Sequence, residues 1–202
     1  MSTSIRPSPG GWWLKNASWL KTTFRFLLGV VWIVDGWLKF QNDFVGQFPG
    51  VVQNAQANAP SWLSGWYSFW ASQAANDPSA IVYTVGTLEL ALGLALVFGF
   101  LRKIAYFGGA LLSLLIWAVP EGFGGSYGPG TTDIGTGAVY AMLFLGLIVI
   151  NAVFGVSRFS LDYLLERRWP WWAKLAEMDS DPRPRDVSLI VSGGSPAPKT
   201  PG

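Results

Sequence analysis

The chain of 202 residues is 50% hydrophobic and only 13% charged, a balance typical of an integral membrane protein and not of a soluble domain. Its formal net charge of +2 excludes the strongly basic surface of a nucleic-acid-binding protein. The absence of cysteine and histidine excludes disulfides, cysteine-ligated iron–sulfur clusters, histidine-ligated haem or metal, and catalytic triads that use histidine. Any redox reaction therefore needs a diffusible carrier or a partner subunit.

Residues 1–21 form the first predicted region, an interfacial segment that precedes the membrane domain. Aromatic rings at headgroup level with cations beside them are typical of such a segment. The residues that carry this pattern are Trp12, Trp13, Trp19, Lys15 and Lys21.

The first predicted span covers residues 24–40, inside a transmembrane domain placed at residues 22–157. Asp35 and Lys39 interrupt its apolar sequence one helical turn apart, in the orientation that favours pairing along a helix. Two interpretations remain open. The pair is an interfacial ion pair where the helix leaves the bilayer, or it faces a ligand and handles protons.

A long mixed segment, residues 43–79, separates the first two spans. Its aromatic residues fall at helical spacing, which predicts an amphipathic helix lying on the membrane. Asp77 and Pro78 are typical of a helix start and predict the cap of the second span. A connection of this length is usually functional or lid-like.

The second predicted span covers residues 80–100 and carries Glu89 close to its middle. A carboxylate at that depth costs a few kcal/mol or more in contact with lipid, so Glu89 is expected to face the bundle interior. Gly86 and Gly93 share its face and favour the close approach of another helix. Glu89 is interpreted either as an interhelical hydrogen-bond partner or as a substrate or proton site.

Residues 104–119 and 136–153 are predicted as the third and fourth spans, with Arg102 and Lys103 in the short turn before the third. The segment between them, residues 121–137, reads EGFGGSYGPGTTDIGTG. So much glycine with a proline excludes a helix and predicts a shaped loop. The loop is either a flexible connector or the rim of a site enclosed by the helices.

The remaining chain is divided into a basic, aromatic, interfacial segment at residues 158–178 and a disordered tail at residues 179–202. Basic residues precede span one, join spans two and three, and follow span four. The positive-inside rule therefore predicts a multi-pass plasma-membrane protein with both termini cytoplasmic.

The stretches RFLLGVVWIVDGWLKFQNDF, GTLELALGLALVFGF and EGFGGSYGPGTTDIGTGAVY together resemble the DoxX/DoxD-like membrane proteins over residues 22–157. The resemblance implies an all-α fold, a four-helix transmembrane bundle. For some members it implies a role in passing electrons from a sulfur compound such as thiosulfate to quinone. Carried onto this chain, it directs attention to Arg25, Asp35, Lys39, Glu89, Glu121 and Asp133.

Two hypotheses follow. The first is the membrane subunit of a quinone-linked oxidoreductase, without metal, haem or iron–sulfur cluster of its own, in which Glu89 and Asp35 handle protons and Trp32 and Trp37 line an apolar slot. Backbone N–H groups of the glycine-rich loop, with Tyr127, Thr131, Thr132 and Asp133, are then expected to bind a small oxyanion. Lys39 helps to hold its negative charge, and Glu121 is a further substrate-binding candidate. The alternative is a non-catalytic scaffold or accessory subunit of a larger respiratory-type complex. Both hypotheses expect the bilayer and a second subunit or another copy as partners, and a small-solute transporter is a weaker third.

Overall fold

The computed structural model describes residues 10–41, 43–125, 134–154 and 159–178, and all regular elements in these ranges are helical. The eight α-helices are α1 (Gly10–Leu38), α2 (Phe44–Ala57), α3 (Ser64–Asn76), α4 (Pro78–Phe98), α5 (Arg102–Ala118), α6 (Thr136–Phe154), α7 (Leu161–Arg168) and α8 (Ala173–Ala176). Short 3₁₀ turns lie at Ser61–Leu63, Gly122–Gly124 and Pro170–Trp172.

Three stretches within the described chain are long and apolar enough to cross a membrane: Asn16–Leu38, Pro78–Phe98 and Thr136–Val153. They correspond to the first, second and fourth predicted spans. The third predicted span is α5, whose 17 residues cover about 25 Å at about 1.5 Å per residue. Crossing by α5, and with it the four-span count, stays a prediction at this stage.

The helix starts and turns around α4 follow from local side-chain chemistry. Asp77 accepts a hydrogen bond from the Ala80 backbone N–H (2.9 Å), with Pro78 at the first helical position, so the predicted cap is confirmed. The turn to α5 differs from the prediction. The turn is formed by residues before Arg102: Gly99 and Leu101 adopt left-handed conformations with φ of 65° and 49°. Arg102 is already the first residue of α5.

Glycines hold α1 against α4 in an antiparallel pair. A Cβ on Gly29 would meet the Gly93 carbonyl oxygen at 2.9 Å, and a Cβ on Gly36 would meet the Gly86 carbonyl oxygen at 2.9 Å. Backbone-to-backbone approach this close requires residues without a side chain. Helices α5 and α6 form a second pair, in which the ring of Phe144 lies over Gly109.

The central core lies where the two pairs meet. Trp32 of α1 is 1% exposed and packs against Tyr140 and Phe144 of α6, with ring centroids 5.6 and 5.7 Å apart. Contacts between α4 and α5 are sparse beyond the turn that joins them. A smaller cluster of buried residues, Phe48, Val52, Ala74, Val82 and Val119, fixes α2 and α3 over that gap.

The long connection and the described ends of the glycine-rich loop share one end of the bundle. The Tyr67 hydroxyl of α3 donates to the Ala118 carbonyl at the end of α5 (2.9 Å). Gly122 lies beside Ala55 of α2, where an added Cβ would be 3.3 Å from the Ala55 Cβ. The two connections therefore lie together at this end of the bundle over the described residues.

Candidate functional site

A cleft of about 400 Å³ opens between α4 and α5 and is covered at one end by α2 and α3. Its walls are almost entirely apolar, which suits a small hydrophobic ligand in both volume and character. The lining residues are Lys39, Phe44, Gln47, Phe48, Val51, Trp70, Ile81, Val82, Val85, Leu88, Leu112, Leu115, Ile116, Val119, Pro120 and Glu121. The polar side chains among them lie toward the end of the bundle that α2 covers.

An ion pair between Lys39, just past the end of α1, and Glu89 of α4 borders this cleft. Glu89 is 1% exposed, so the prediction that it faces the interior is confirmed. The Lys39 Nζ lies 3.5 Å from its Oε2, which is ion-pair distance but beyond an ordinary hydrogen bond. The Lys39 stem crosses the α4 backbone at Gly86, where an added Cβ would meet the Lys39 Cβ at 2.8 Å. Gly86 therefore allows the cation to reach the buried carboxylate.

Lys39 thus pairs with Glu89 of α4 and not with Asp35, the neighbour one turn away that the sequence suggested. The buried carboxylate has the greater need of a cation because it lies away from water. Lys39 also lies over the Phe44 ring, 4.7 Å from its centroid. Asp35 is half-buried on the same side of α1.

The two tryptophans predicted to line the slot lie elsewhere. Trp32 belongs to the central core, and its buried indole N–H donates to no acceptor in the described chain. Trp37 is 63% exposed on the outer face of α1. The aromatic residue that lines the cleft with a similar indole N–H is Trp70 of α3, which the sequence analysis assigned to an interfacial helix.

Glu121 connects the cleft with the start of α6. Its Oε2 accepts a hydrogen bond from the Gly137 backbone N–H at 2.9 Å, near the positive end of the α6 dipole. Nearby, the Trp117 indole donates to the Ile134 carbonyl at 2.7 Å and fastens the described part of the loop to α5. Four loop residues that were predicted to help bind an oxyanion lie outside the described residues: Tyr127, Thr131, Thr132 and Asp133.

A second polar cluster, at the opposite end of the bundle, was missed by the sequence analysis. Arg102 is 1% exposed and forms ion pairs with Asp162 (2.9 Å), Glu166 (3.2 Å) and Glu177. Its guanidinium also donates to the Asn151 side chain at 3.3 Å. These partners lie 49 to 75 residues away along the chain, so no local spacing rule would pair them.

Both side-chain oxygens of Asp162 in this cluster accept two hydrogen bonds each. Its Oδ1 accepts from the Leu101 N–H and the Trp172 indole, both at 2.9 Å. Its Oδ2 accepts from the Arg102 N–H at 3.0 Å and from the Arg102 Nε at 2.9 Å. Asp162 therefore caps α5 from a distant part of the chain and holds Leu101 in its left-handed conformation.

Glu166 shares the Arg102 guanidinium with Glu177 and lies largely out of water. Burial and the neighbouring Glu177 carboxylate raise the pKa of Glu166 to about 7, although Arg102 acts in the opposite direction. This carboxyl therefore changes its protonation near neutral pH.

The buried ion pairs, exposed apolar helix faces and apolar cleft are typical of a helical membrane protein with a ligand-sized gap between its helices. The DoxX family model matches residues 20–121, and the chain belongs to the DoxX family of membrane proteins. Neither the comparison with curated proteins nor the comparison with solved structures finds a match. No group of three metal-ligating side chains occurs within the described ranges.

Proposed function

We propose that this DoxX-family protein crosses the membrane four times and binds quinone in the cleft between α4 and α5. The four-span topology is supported by the way α5 runs antiparallel to α6 along its whole length. Arg102, at the start of α5, contacts Asn151 near the end of α6, whereas Glu121, just past α5, contacts Gly137 at the start of α6. Helix α5 therefore covers the same depth as α6, which is itself long enough to span.

The orientation proposal follows from the charges at the two ends. Lys21, Arg25 and Arg102 share the end of the bundle where α7 and α8 dock. The positive-inside rule makes this end cytoplasmic in the plasma membrane, with both termini on that side. The cleft then lies toward the opposite membrane face.

One observation carries the quinone proposal: Lys39 and Trp70, whose side chains each carry a hydrogen-bond donor, line a cleft with otherwise mostly hydrophobic walls. A quinone is a flat apolar ring with two carbonyl acceptors, so it needs such walls and one or two donors. The Lys39 ammonium lines the cleft, and the buried Trp70 indole N–H has no acceptor in the described chain. Leu88 and Leu115 are 51% and 41% exposed, which leaves the cleft open toward the acyl chains.

Reduction of the quinone to quinol takes up two electrons and two protons. The chain has no cysteine or histidine, so the proposal assigns the electron donor, a sulfur compound such as thiosulfate, to a partner subunit. Glu89, next to Lys39, is the proposed proton-handling carboxyl, with Asp35 as its neighbour on α1. Glu121 closes the polar end of the cleft.

Quenching of tryptophan fluorescence by a water-soluble ubiquinone analogue tests the proposal on the purified protein in detergent. Lys39→Met removes a charged donor, which is worth about 1.5–3 kcal/mol, so the Kd is expected to rise by about tenfold or more. Lys103→Met is the matched control, because Lys103 lies on α5 beside Lys174, away from the cleft. Equal Kd values for the two variants would reject the site.

The second candidate, an accessory subunit without a ligand, is favoured by Trp62. This side chain is 79% exposed in the connection between α2 and α3, where a partner could cover it. Gentle purification separates the two functions. Quinone that co-purifies supports the first, and a redox polypeptide that co-purifies without quinone supports the second.

A further inference from the structure

The segment of residues 159–178, here called the docked segment, has equal numbers of acidic and basic side chains in its sequence. Its acids are Asp162, Glu166 and Glu177, and its bases are Arg167, Arg168 and Lys174. Composition alone therefore predicts that the docked segment has no net charge and attracts neither anions nor cations. The fold separates the two signs.

All three acids of the docked segment point toward the bundle. Asp162 is fully buried, and the side chains of Glu166 and Glu177 are 14% and 11% exposed. Each forms an ion pair with Arg102. Two further bundle cations, Lys21 and Arg25, are 7% and 2% exposed in the same cluster. The three acidic side chains thus lie among three buried cations.

All three bases of the docked segment are exposed. On α7, Leu161, Leu164 and Arg168 follow at i, i+3 and i+7, so they share the face opposite Asp162 and Glu166. Large apolar side chains accompany the cations on this outer surface: Phe159 (63% exposed), Leu161 (40%), Leu164 (59%), Trp169 (46%) and Trp171 (56%). The outer surface is therefore cationic and aromatic.

We infer that the outer surface of the docked segment binds anionic phospholipid of the membrane that the bundle crosses. Aromatic and aliphatic side chains next to cations match the boundary between acyl chains and phosphate headgroups. The docked segment follows α6 and packs against α1 at Arg25 and against the start of α5 at Arg102, so it lies just past the point where α6 leaves the hydrocarbon. An acidic protein surface would match the three cations but would offer no apolar contact to the exposed parts of these five side chains.

The charge separation gives the contact its lipid selectivity. The acidic side chains of the docked segment lie inside, in ion pairs with Arg102. The phosphate of an anionic lipid therefore meets Arg167, Arg168 and Lys174 without competing negative charge from the docked segment. Each exposed cation near an anionic surface contributes about fivefold in affinity at low ionic strength. A zwitterionic lipid gains little from the same cations.

Native mass spectrometry of the full chain in detergent tests the inference by titrating phosphatidylglycerol or phosphatidylcholine and measuring the Kd for each lipid. Wild type is expected to bind phosphatidylglycerol more tightly than phosphatidylcholine. The double substitution Arg167→Gln/Arg168→Gln is expected to raise the Kd for phosphatidylglycerol by about 25-fold and leave that for phosphatidylcholine unchanged. The matched control, Arg167→Lys/Arg168→Lys, retains the charge and is expected to stay within about threefold of wild type.

Lys174→Gln provides a second, smaller test, with an expected rise in the Kd for phosphatidylglycerol of about fivefold. These side chains are exposed and outside the Arg102 cluster, so their substitution is expected to leave the buried ion pairs intact. Equal Kd values of wild type for the two lipids would overturn the inference. So would a glutamine variant that binds phosphatidylglycerol like wild type, or a lysine variant as weak as the glutamine variant.

Discussion

Asp162→Asn is expected to be among the most destabilising isosteric changes in the described chain. The carboxylate is fully buried and each of its oxygens accepts two hydrogen bonds. An asparagine amide keeps one accepting oxygen and turns an NH₂ group toward two donors, whichever way it is oriented. Two charge-assisted hydrogen bonds of about 1.5–3 kcal/mol each are lost, for a total of about 3–6 kcal/mol. A second estimate of the same loss agrees, because removing one partner of a buried ion pair typically costs about 3–5 kcal/mol.

The free energy of unfolding can be measured by titrating the protein in mixed micelles with sodium dodecyl sulfate and following helix content by circular dichroism. Asp77→Asn is the matched control, because Asp77 is exposed and caps α4 with one hydrogen bond. Asparagine caps a helix about as well as aspartate, so that control is expected to change stability by less than about 0.5 kcal/mol. Similar losses for the two variants would refute the view that Asp162 fixes the docked segment.

Three further predictions concern other parts of the bundle. Burial raises the pKa of Glu166 to about 7, so the contribution of this side chain to the free energy of unfolding is complete below about pH 4.5 and is lost as pH rises to 7. Glu166→Gln should therefore flatten the dependence of the free energy of unfolding on pH between about 4.5 and 7. An unchanged pH dependence would contradict this prediction. Gly93→Ala should cost about 1–3 kcal/mol in the same titration, since its Cβ would meet the Gly29 carbonyl oxygen at 2.8 Å, whereas Gly108→Ala, which meets nothing within 4 Å, should not destabilise. In a double-mutant cycle, Lys39→Met should destabilise more in the presence of Glu89 than in the Glu89→Gln background, and strict additivity would exclude their coupling.

The helices could be predicted because their apolar runs have membrane length, and the inward direction of Glu89 because Gly86 and Gly93 mark its face of α4. The helix pairing at those glycines agrees with the small-residue rule. Membrane crossing by α5 stays a prediction, because its 17 residues fall short of the three stretches that are long and apolar enough to cross.

The predicted pairing of Lys39 with Asp35 was wrong, because spacing rules consider only neighbours on the same helix. The fold brings a buried carboxylate from another helix within 3.5 Å, and burial outweighs a local pairing worth only a few tenths of a kcal/mol. The cleft itself arises from sparse contacts between α4 and α5, which no single segment encodes.

The Arg102 cluster lay beyond sequence reasoning for a related physical reason. Arg102 and Glu177 are 75 residues apart, and charge counts treat every ionised side chain as exposed. Residues 158–178 therefore looked basic and aromatic, while the buried position of Asp162 had no local signal. An arginine at the start of an apolar helix, followed much later by acids spaced at helical intervals, was the available hint.

The glycine contacts of the two helix pairs have a mechanical consequence. Because α1 is joined to α4 backbone to backbone, and α5 to α6 through Gly109 and Phe144, each pair resists internal sliding. Displacement is easiest along the seam between the pairs, where α2 rests on both walls. A molecule bound in this seam would contact both helix pairs and hold them together. Its binding should therefore slow the opening of the whole bundle, and not only the opening of the residues that it contacts.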